Sequence, residues 1–278
     1  MRREVLGERN VFEKTLHPSR LTTNGEKMAY WDKEIRSLMG KAIHHYGLIQ
    51  EGDRILVGVS GGKDSLTLLH LLYDRGKRVP IHYELIPVYI DLGFDPERAG
   101  ILKKYFETRE LPYHIEFTDI GRRANSAENR ENPCFLCSWE RRKRLFHLAH
   151  RLKCNKIALG HHKDDIIETL LLNIFYSAEI STMVPSQSLF KGKIILIRPL
   201  ALLEEKKIER FAREMRLPFG PSGCPSSGKT KRKVVKDLIE VLSKKDRRVK
   251  GNIFRALSNI KLDYTLTPKG HSCENENV

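Results

Sequence analysis

A glycine pair between polar residues is the first stretch of the chain whose residue types suggest chemistry. Residues 60–65 read Ser-Gly-Gly-Lys-Asp-Ser, after an apolar run and before a helical repeat of leucines. This pattern predicts a strand, a tight turn and a helix N-terminus, which together present unpaired N–H groups to an anion. Ser60 and Ser65 supply hydroxyl groups, and Gly61 and Gly62 supply backbone N–H groups. Lys63 adds an ammonium group, and Asp64 adds a carboxylate for Mg²⁺.

The spacing of this loop differs from the common nucleotide-binding motifs. Three residues separate Gly58 from Gly62, and Asp64 follows Lys63 where a Walker A loop has Ser or Thr. The three-glycine dinucleotide pattern is also absent from the sequence. The residues therefore predict a phosphate site of another kind.

A second polar cluster, at residues 159–169, reads Leu-Gly-His-His-Lys-Asp-Asp-Ile-Ile-Glu-Thr. We expect Gly160, His161 and Asp164 in the site, because they follow a short strand and open a helix. Asp165 and Glu168 are explained equally well as acidic groups that stabilise the helix dipole.

Three cysteines form a third set of candidate residues. Cys134 and Cys137 have the Cys-x-x-Cys spacing of a metal site or a redox dithiol, and Cys224 lies in a segment rich in turn residues. Three thiols suit an iron–sulfur cluster with one open iron better than a closed zinc site, although a histidine could complete a zinc site. Cys154 and Cys273 carry no ligand signal, and we expect the first to be a buried small side chain.

Strands and helices alternate along the middle of the chain. Apolar runs predict strands at 54–60, 83–92, 113–120, 156–159 and 194–200, with helices at 65–75, 96–109, 138–152 and 163–176. This order predicts an α/β fold with a doubly wound, parallel, five-stranded sheet. Ligands bind such sheets at the carboxyl ends of the strands, where residues 60–65 would lie.

Length and composition indicate how large the core is and which segments lie outside this sheet. With 278 residues, 40% of them hydrophobic, the chain can bury one large core with smaller additions. We expect a basic arm and helix at 1–50, a phosphate-binding domain at 51–220, a basic helical RNA-binding extension at 221–265 and a disordered tail at 266–278. In the extension, the inner face is expected to consist of Val234, Val235, Leu238, Ile239 and Leu242.

The net charge of +15 favours a polyanionic partner such as nucleic acid over the alternative, adaptation to a hot or salty environment. The sequence contains no apolar stretch long enough to span a bilayer and no signal-peptide core, so we expect a cytoplasmic protein without membrane contact.

Residues 60–65 resemble the pyrophosphate loop of the ATP-pyrophosphatase superfamily, also called PP-loop or adenine nucleotide alpha hydrolase proteins. Residues 159–169 resemble a block shared by tRNA thiolases and lysidine synthetases of that superfamily. Together with Ile197-Arg-Pro-Leu200 and the three cysteines, they make residues 41–262 similar to the tRNA 2-thiocytidine synthetases. Cys224 departs from that family, since many members have a Cys-x-x-Cys there.

The resemblance implies an ATP-dependent tRNA sulfurtransferase that adenylates a pyrimidine 2-carbonyl and exchanges its oxygen for sulfur, forming 2-thiocytidine at position 32. It implies ATP, Mg²⁺ and a [4Fe-4S] cluster on Cys134, Cys137 and Cys224. Further expectations are a persulfide from a cysteine desulfurase or free sulfide as donor, and a homodimer. The residues expected to act in catalysis are Lys63, Asp64, Asp164 and Arg141, the last by steadying the adenylate or a tRNA phosphate.

Three other functions fit part of the pattern. A tRNA 2-thiouridine synthetase would share most of these residues. A lysidine synthetase-type enzyme would share the loop but needs no cysteine cluster, and a noncatalytic metal-containing RNA-binding module would not consume ATP.

Overall fold

The computed structural model describes residues 24–221, 223–225 and 230–264, and within them one six-stranded sheet of order β3-β2-β1-β4-β6-β5. Five strands run parallel, and β5 pairs with β6 in the antiparallel sense. The strands are β1 Asp53–Val59, β2 Tyr83–Asp91, β3 His114–Phe117, β4 Lys156–Ala158, β5 Ser186–Leu189 and β6 Ile194–Ile197. The α/β class is confirmed, as are all five predicted strands.

The predicted number of strands was one too few, because β5 gave no clear signal. Its sequence is Ser-Gln-Ser-Leu, and its three polar side chains are exposed at the sheet edge. Arg198, which follows β6, donates to the carbonyl of Val184 just before β5. This contact helps to hold a strand whose own side chains bury little apolar surface.

Nine α-helices are present in the described residues. They are α1 Asn24–His45, α2 Lys63–Gly76, α3 Arg98–Glu107, α4 Ile120–Ala124, α5 Pro133–Arg151, α6 Lys163–Ser177, α7 Glu205–Glu214, α8 Lys231–Lys245 and α9 Val249–Ala256. Helix α5 begins at Pro133 and not at the predicted residue 138. The Asn132 side chain accepts from the N–H groups of Cys134 (2.9 Å) and Phe135 (3.3 Å), and proline suits the first helical position.

Helices cover both faces of the sheet. Ile55 and Val57 of β1 are fully buried toward the cluster that includes α1, α2 and α7, whereas Leu56 is buried toward α5. The alternation follows the two-residue period of a strand. A doubly wound core of this kind leaves the ends of the strands as the place for a polar site.

A smaller apolar cluster joins the C-terminal helices to α6. Val235 and Ile239 of α8 are buried against Ile167, as predicted. The prediction was wrong for Val234, Leu238 and Leu242, which are 61%, 40% and 39% exposed. These side chains repeat every four residues, one position before the buried pair, so they form a neighbouring stripe of α8 that is turned toward solvent.

Several expectations concern parts of the chain outside the described residues. The basic arm at 1–23, Lys229 and the tail with Cys273 are among them. The division at 50 and 220 stays a prediction. No helix within the described ranges is long and apolar enough to cross a membrane.

Candidate active site

The loop at residues 60–65 lies where strand order reverses, at the carboxyl end of β1. Gly61 has a φ of +79°, and Gly62 is extended directly before α2. The hydroxyls tie the turn together: Ser65 Oγ accepts from Ser60 N at 3.0 Å and donates to the Gly62 carbonyl at 3.1 Å. The loop is therefore held in shape with the N-terminus of α2 facing outward, which favours an anion.

Gly160 holds the segment after β4 against this loop. A Cβ atom at residue 160 would lie 2.9 Å from Ser65 N and 3.0 Å from the carbonyl carbon of Asp64, closer than real Cβ contacts. Only glycine fits here, so the segment after β4 packs directly on the first turn of α2.

Lys63 lies between two carboxylates. Its Nζ is 3.2 Å from Asp64 Oδ1 and 3.0 Å from Glu205 Oε1 at the start of α7. Burial opposes the charged form, but Asp64 and Glu205 outweigh it and raise the pKa of Lys63. Glu205 Oε2 also lies 2.6 Å from Nζ of Lys236 in α8. Burial alone would raise the pKa of Glu205, but Lys236 and Lys63 outweigh it and lower this pKa to about 2. The lysine is thus cationic and held at the mouth of the loop.

Of the two adjacent histidines, His162 is the one that lies among the acidic groups. Its Nε2 is 3.8 Å from Asp64 Oδ1 and 3.4 Å from Asp165 Oδ2, and its side chain is almost fully buried. The sequence analysis selected His161 and missed His162. The His-His pair could have indicated both, because consecutive residues after a strand point in different directions and either one can face the site. His161 lies near Asp165, Arg198 and Arg232; burial mainly, and then the arginines, lower its pKa to about 4.

Asp164 connects the site to the C-terminal helices. Its carboxylate accepts from Glu205 N at 2.7 Å and forms an ion pair with Lys250 of α9. Burial favours the neutral acid, but the Lys250 and Glu205 contacts dominate and lower the pKa of Asp164. Its two oxygens are engaged in holding α7 and α9, and a catalytic role for it stays a prediction.

Arg98, at the start of α3, is a buried residue of the site that sequence reasoning missed. Its side chain packs on Gly61, where a Cβ would come within 2.9 Å of Arg98 Cδ, and a Cβ on Gly220 would overlap its guanidinium. Arg98 Nη1 donates to the Pro218 carbonyl at 3.3 Å, and Gly220 N donates to the Gly61 carbonyl at 3.3 Å. These contacts fasten the segment that leads to Cys224 directly onto the phosphate loop.

Cys134 and Cys224 lie close enough to Cys137 to affect the pKa of its thiol. Cys134 is exposed, whereas Cys137 and Cys224 are half-buried. Burial, Cys224 and Cys134 raise the pKa of Cys137, against the opposing effect of Arg141. Among the described residues no three His, Cys, Asp or Glu side chains already have the closeness of a metal site. Three cysteine thiols, one of them exposed to solvent, still fit an iron–sulfur cluster in which one iron has no protein ligand.

Fold and loop together define a protein that binds the phosphates of a nucleotide at the carboxyl edge of its sheet. The PP-loop domain family matches residues 32–239. The chain belongs to the PP-loop family, in the group of tRNA-cytidine(32) 2-sulfurtransferases. The resemblance drawn from the motifs is thereby confirmed.

The relatives of that name include two that match most of this chain. The protein of Geobacter sulfurreducens is 40% identical over 242 residues, which is 84% of this chain and 92% of the relative. The protein of Citrifermentans bemidjiense is 41% identical over 247 residues, covering 84% and 95% of the two chains.

A solved structure has a similar fold. The U34-tRNA thiolase NcsA from Methanococcus maripaludis, solved with its [4Fe-4S] cluster, is 25% identical to this chain with a TM-score of 0.69. The similarity covers 82% of this chain and 78% of NcsA.

Proposed function

We propose that the protein is an ATP-dependent tRNA sulfurtransferase that forms 2-thiocytidine at position 32 of the anticodon loop. The observation that carries the proposal is the junction of the two loops, in which Gly220 N–H donates to the Gly61 carbonyl. It brings the cysteine segment against the phosphate loop, so an activated base and a sulfur source can meet at one place. The names of the relatives support cytidine as the substrate.

In the first step, the 2-carbonyl oxygen of cytidine attacks the α-phosphorus of ATP. An oxygen–phosphorus bond forms, and the bond to pyrophosphate breaks. Lys63 and the N–H groups of Gly61 and Gly62 stabilise the charge that develops on pyrophosphate, in a site arranged before reaction. Asp64 is the proposed ligand for Mg²⁺, and His162 beside it would fix its orientation.

In the second step, sulfur at the oxidation level of sulfide bonds to C2, and AMP leaves with the former carbonyl oxygen. Cys134, Cys137 and Cys224 would hold a [4Fe-4S] cluster. When bound, the cluster supplies an iron with one open position for sulfide. Arg141 lies close enough to Cys137 and Tyr89 to affect the pKa values of both, so it can balance the charge of the adenylate phosphate.

The remaining proposals concern the setting of the reaction. Free sulfide is one sulfur donor; a persulfide from a cysteine desulfurase is the other, and it requires two electrons from a thiol reductant. We propose a cytoplasmic homodimer. Gly160 and His161 complete the proposed nucleotide site with residues 60–65.

Anaerobic incubation with ATP, Mg²⁺, sulfide and unmodified tRNA, followed by nucleoside analysis, tests this function. We expect 2-thiocytidine, loss of the product in Cys224→Ser, and iron together with labile sulfide in the purified protein. The structural neighbour makes a 2-thiouridine product the second candidate, and the same analysis separates the two. Lysidine, or an active iron-free or zinc-containing protein, would refute the proposal.

A further inference from the structure

The outer face of α5 combines aromatic and cationic side chains. Phe135, Ser138, Trp139, Arg142 and Lys143 are all exposed, at the spacing i, i+3, i+4, i+7 and i+8 of one helical face. Phe135 is 61% exposed and Trp139 is 48% exposed. Two large aromatic side chains one turn apart and open to water indicate a surface that binds something.

This face begins at the cysteine turn. Cys134 and Cys137 lie in the same two turns of α5, so Trp139 is only about 3 Å further along the helix axis than Cys137. Lys143 Nζ lies 5.1 Å from the centre of the Trp139 ring. Residues two positions apart on a helix do not face each other, so the aromatic pair shares two turns of α5 with these cysteines but lies on another side of the helix, with Lys143 at its far end.

The charge of the face decides which kind of partner fits. Of the five residues of this face, Arg142 and Lys143 are basic and none is acidic. A second copy of this helix would bring like charges together, which disfavours a contact between copies. A single-stranded nucleic acid supplies what the face lacks, since its bases stack on aromatic rings and its phosphates pair with cations.

We propose that Phe135 and Trp139 form a stacking platform for unpaired bases of the anticodon loop, with Arg142 and Lys143 on the adjoining phosphates. Chemistry on a base in a loop requires that base to leave its stack, and a platform on the helix that carries two of the cysteines gives the neighbouring bases a new surface. The inference rests on the proposed function and adds the surface by which the substrate is held.

Tryptophan fluorescence tests the platform without any turnover. The chain has two tryptophans, and Trp31 in α1 packs under Arg210 at 4.1 Å. In Trp31→Phe, only Trp139 reports. Titration with an unmodified anticodon stem-loop should quench its emission to saturation, with weaker binding at higher salt. An unchanged spectrum at saturating RNA would overturn the platform.

Kinetics supply the second test. Trp139→Ala should raise the KM for tRNA by about 10-fold or more, as expected for the loss of one stacked base, while Trp139→Phe restores most of it. The KM for ATP and the iron content should stay unchanged. Phe175→Ala is the matched control, because Phe175 in α6 is 52% exposed and lies outside this face.

Three results would refute the platform or separate it from the proposed function. If Trp139→Ala and Phe135→Ala leave the KM for tRNA and the thiolation activity unchanged, the stacking platform is refuted and the proposed function stands. A change from dimer to monomer in these variants would assign the face to a second copy. Saturable quenching in a protein that makes no thiolated nucleoside would support the platform and refute the function.

Discussion

The two ends of the central strands handle buried charge in opposite ways. At the amino end, Asp53 and Lys156 are 3% and 2% exposed, and their charged atoms lie 2.7 Å apart. Asn155 donates to Asp53 at 2.8 Å, and Lys156 donates to the Leu48 carbonyl at 3.0 Å. Each partner has several hydrogen bonds, as a buried ion pair requires.

At the carboxyl end, the charges are more numerous and less completely paired. Asp64 Oδ1 and His162 Nδ1 are buried, and neither makes a hydrogen bond within the described part of the chain. Lys63 is shared between Asp64 and Glu205. The Asp53–Lys156 pair is fully hydrogen-bonded within the protein, whereas buried polar atoms that make no hydrogen bond mark the end of the sheet that meets a ligand.

The same substitution at the two ends should separate these roles. Lys156→Met leaves the Asp53 charge buried without its partner, so we expect a loss of about 3–5 kcal/mol in the free energy of unfolding. Denaturant unfolding measures this value. The rate of pyrophosphate release per folded molecule should stay within about twofold of wild type, and a large fall in that rate would erase the distinction.

Lys63→Met should show the opposite pattern. Removing a cation that stabilises the leaving pyrophosphate lowers the rate by about 100-fold to 1000-fold. Glu205 keeps Lys236 as its partner, so the free energy of unfolding should change by only about 1 kcal/mol. Single-turnover pyrophosphate release and denaturant unfolding, measured on one preparation, check both statements.

Gly160→Ala tests the contact between the strand ends. The added methyl group must displace the first turn of α2, and a shift of this size lowers the rate by about 10-fold to 100-fold. Gly100→Ala is the matched control, because a Cβ at that position of α3 meets nothing within 4 Å. Equal rates for the two variants would contradict the close fit of loop and strand end.

Acid sensitivity tests a single buried group at the carboxyl end. The pKa of His161 is lowered to about 4, so between pH 6.5 and 4 the unfolded chain binds a proton that the folded protein does not. Stability is complete above pH 6.5 and falls with pH by up to about 1.4 kcal/mol per unit across this window. His161→Gln should flatten that slope, as measured by denaturant unfolding at pH 6.5 and at pH 4.

The sequence predicted the parts of the fold and site that depend on local pattern. Apolar runs gave the five parallel strands, and the glycine pair gave the phosphate loop. The polar edge strand β5 was missed because strand signals rely on apolar side chains. Arg98 and the pair Asp53 with Lys156 could not be found, since their contacts join segments more than a hundred residues apart.

The contacts of Asp164 show the same limit. The position of Asp164 at a helix start predicted a catalytic role. In the structure its carboxylate pairs with Lys250, which lies on a helix 86 residues later in the chain. Residue type and spacing identify the groups that can react. Only the packing of distant helices shows which of these groups are already engaged in ion pairs or hydrogen bonds within the protein.

The products formed from ATP test the central claim that the carboxyl end is a pyrophosphate-releasing site joined to a sulfur-transfer site. Wild type is incubated anaerobically with labelled ATP, sulfide and unmodified tRNA, and nucleotides and nucleosides are counted together. We expect one AMP, one pyrophosphate and one 2-thiocytidine per turnover. ADP with phosphate, or AMP without a thiolated nucleoside in a protein that contains its iron, would contradict it.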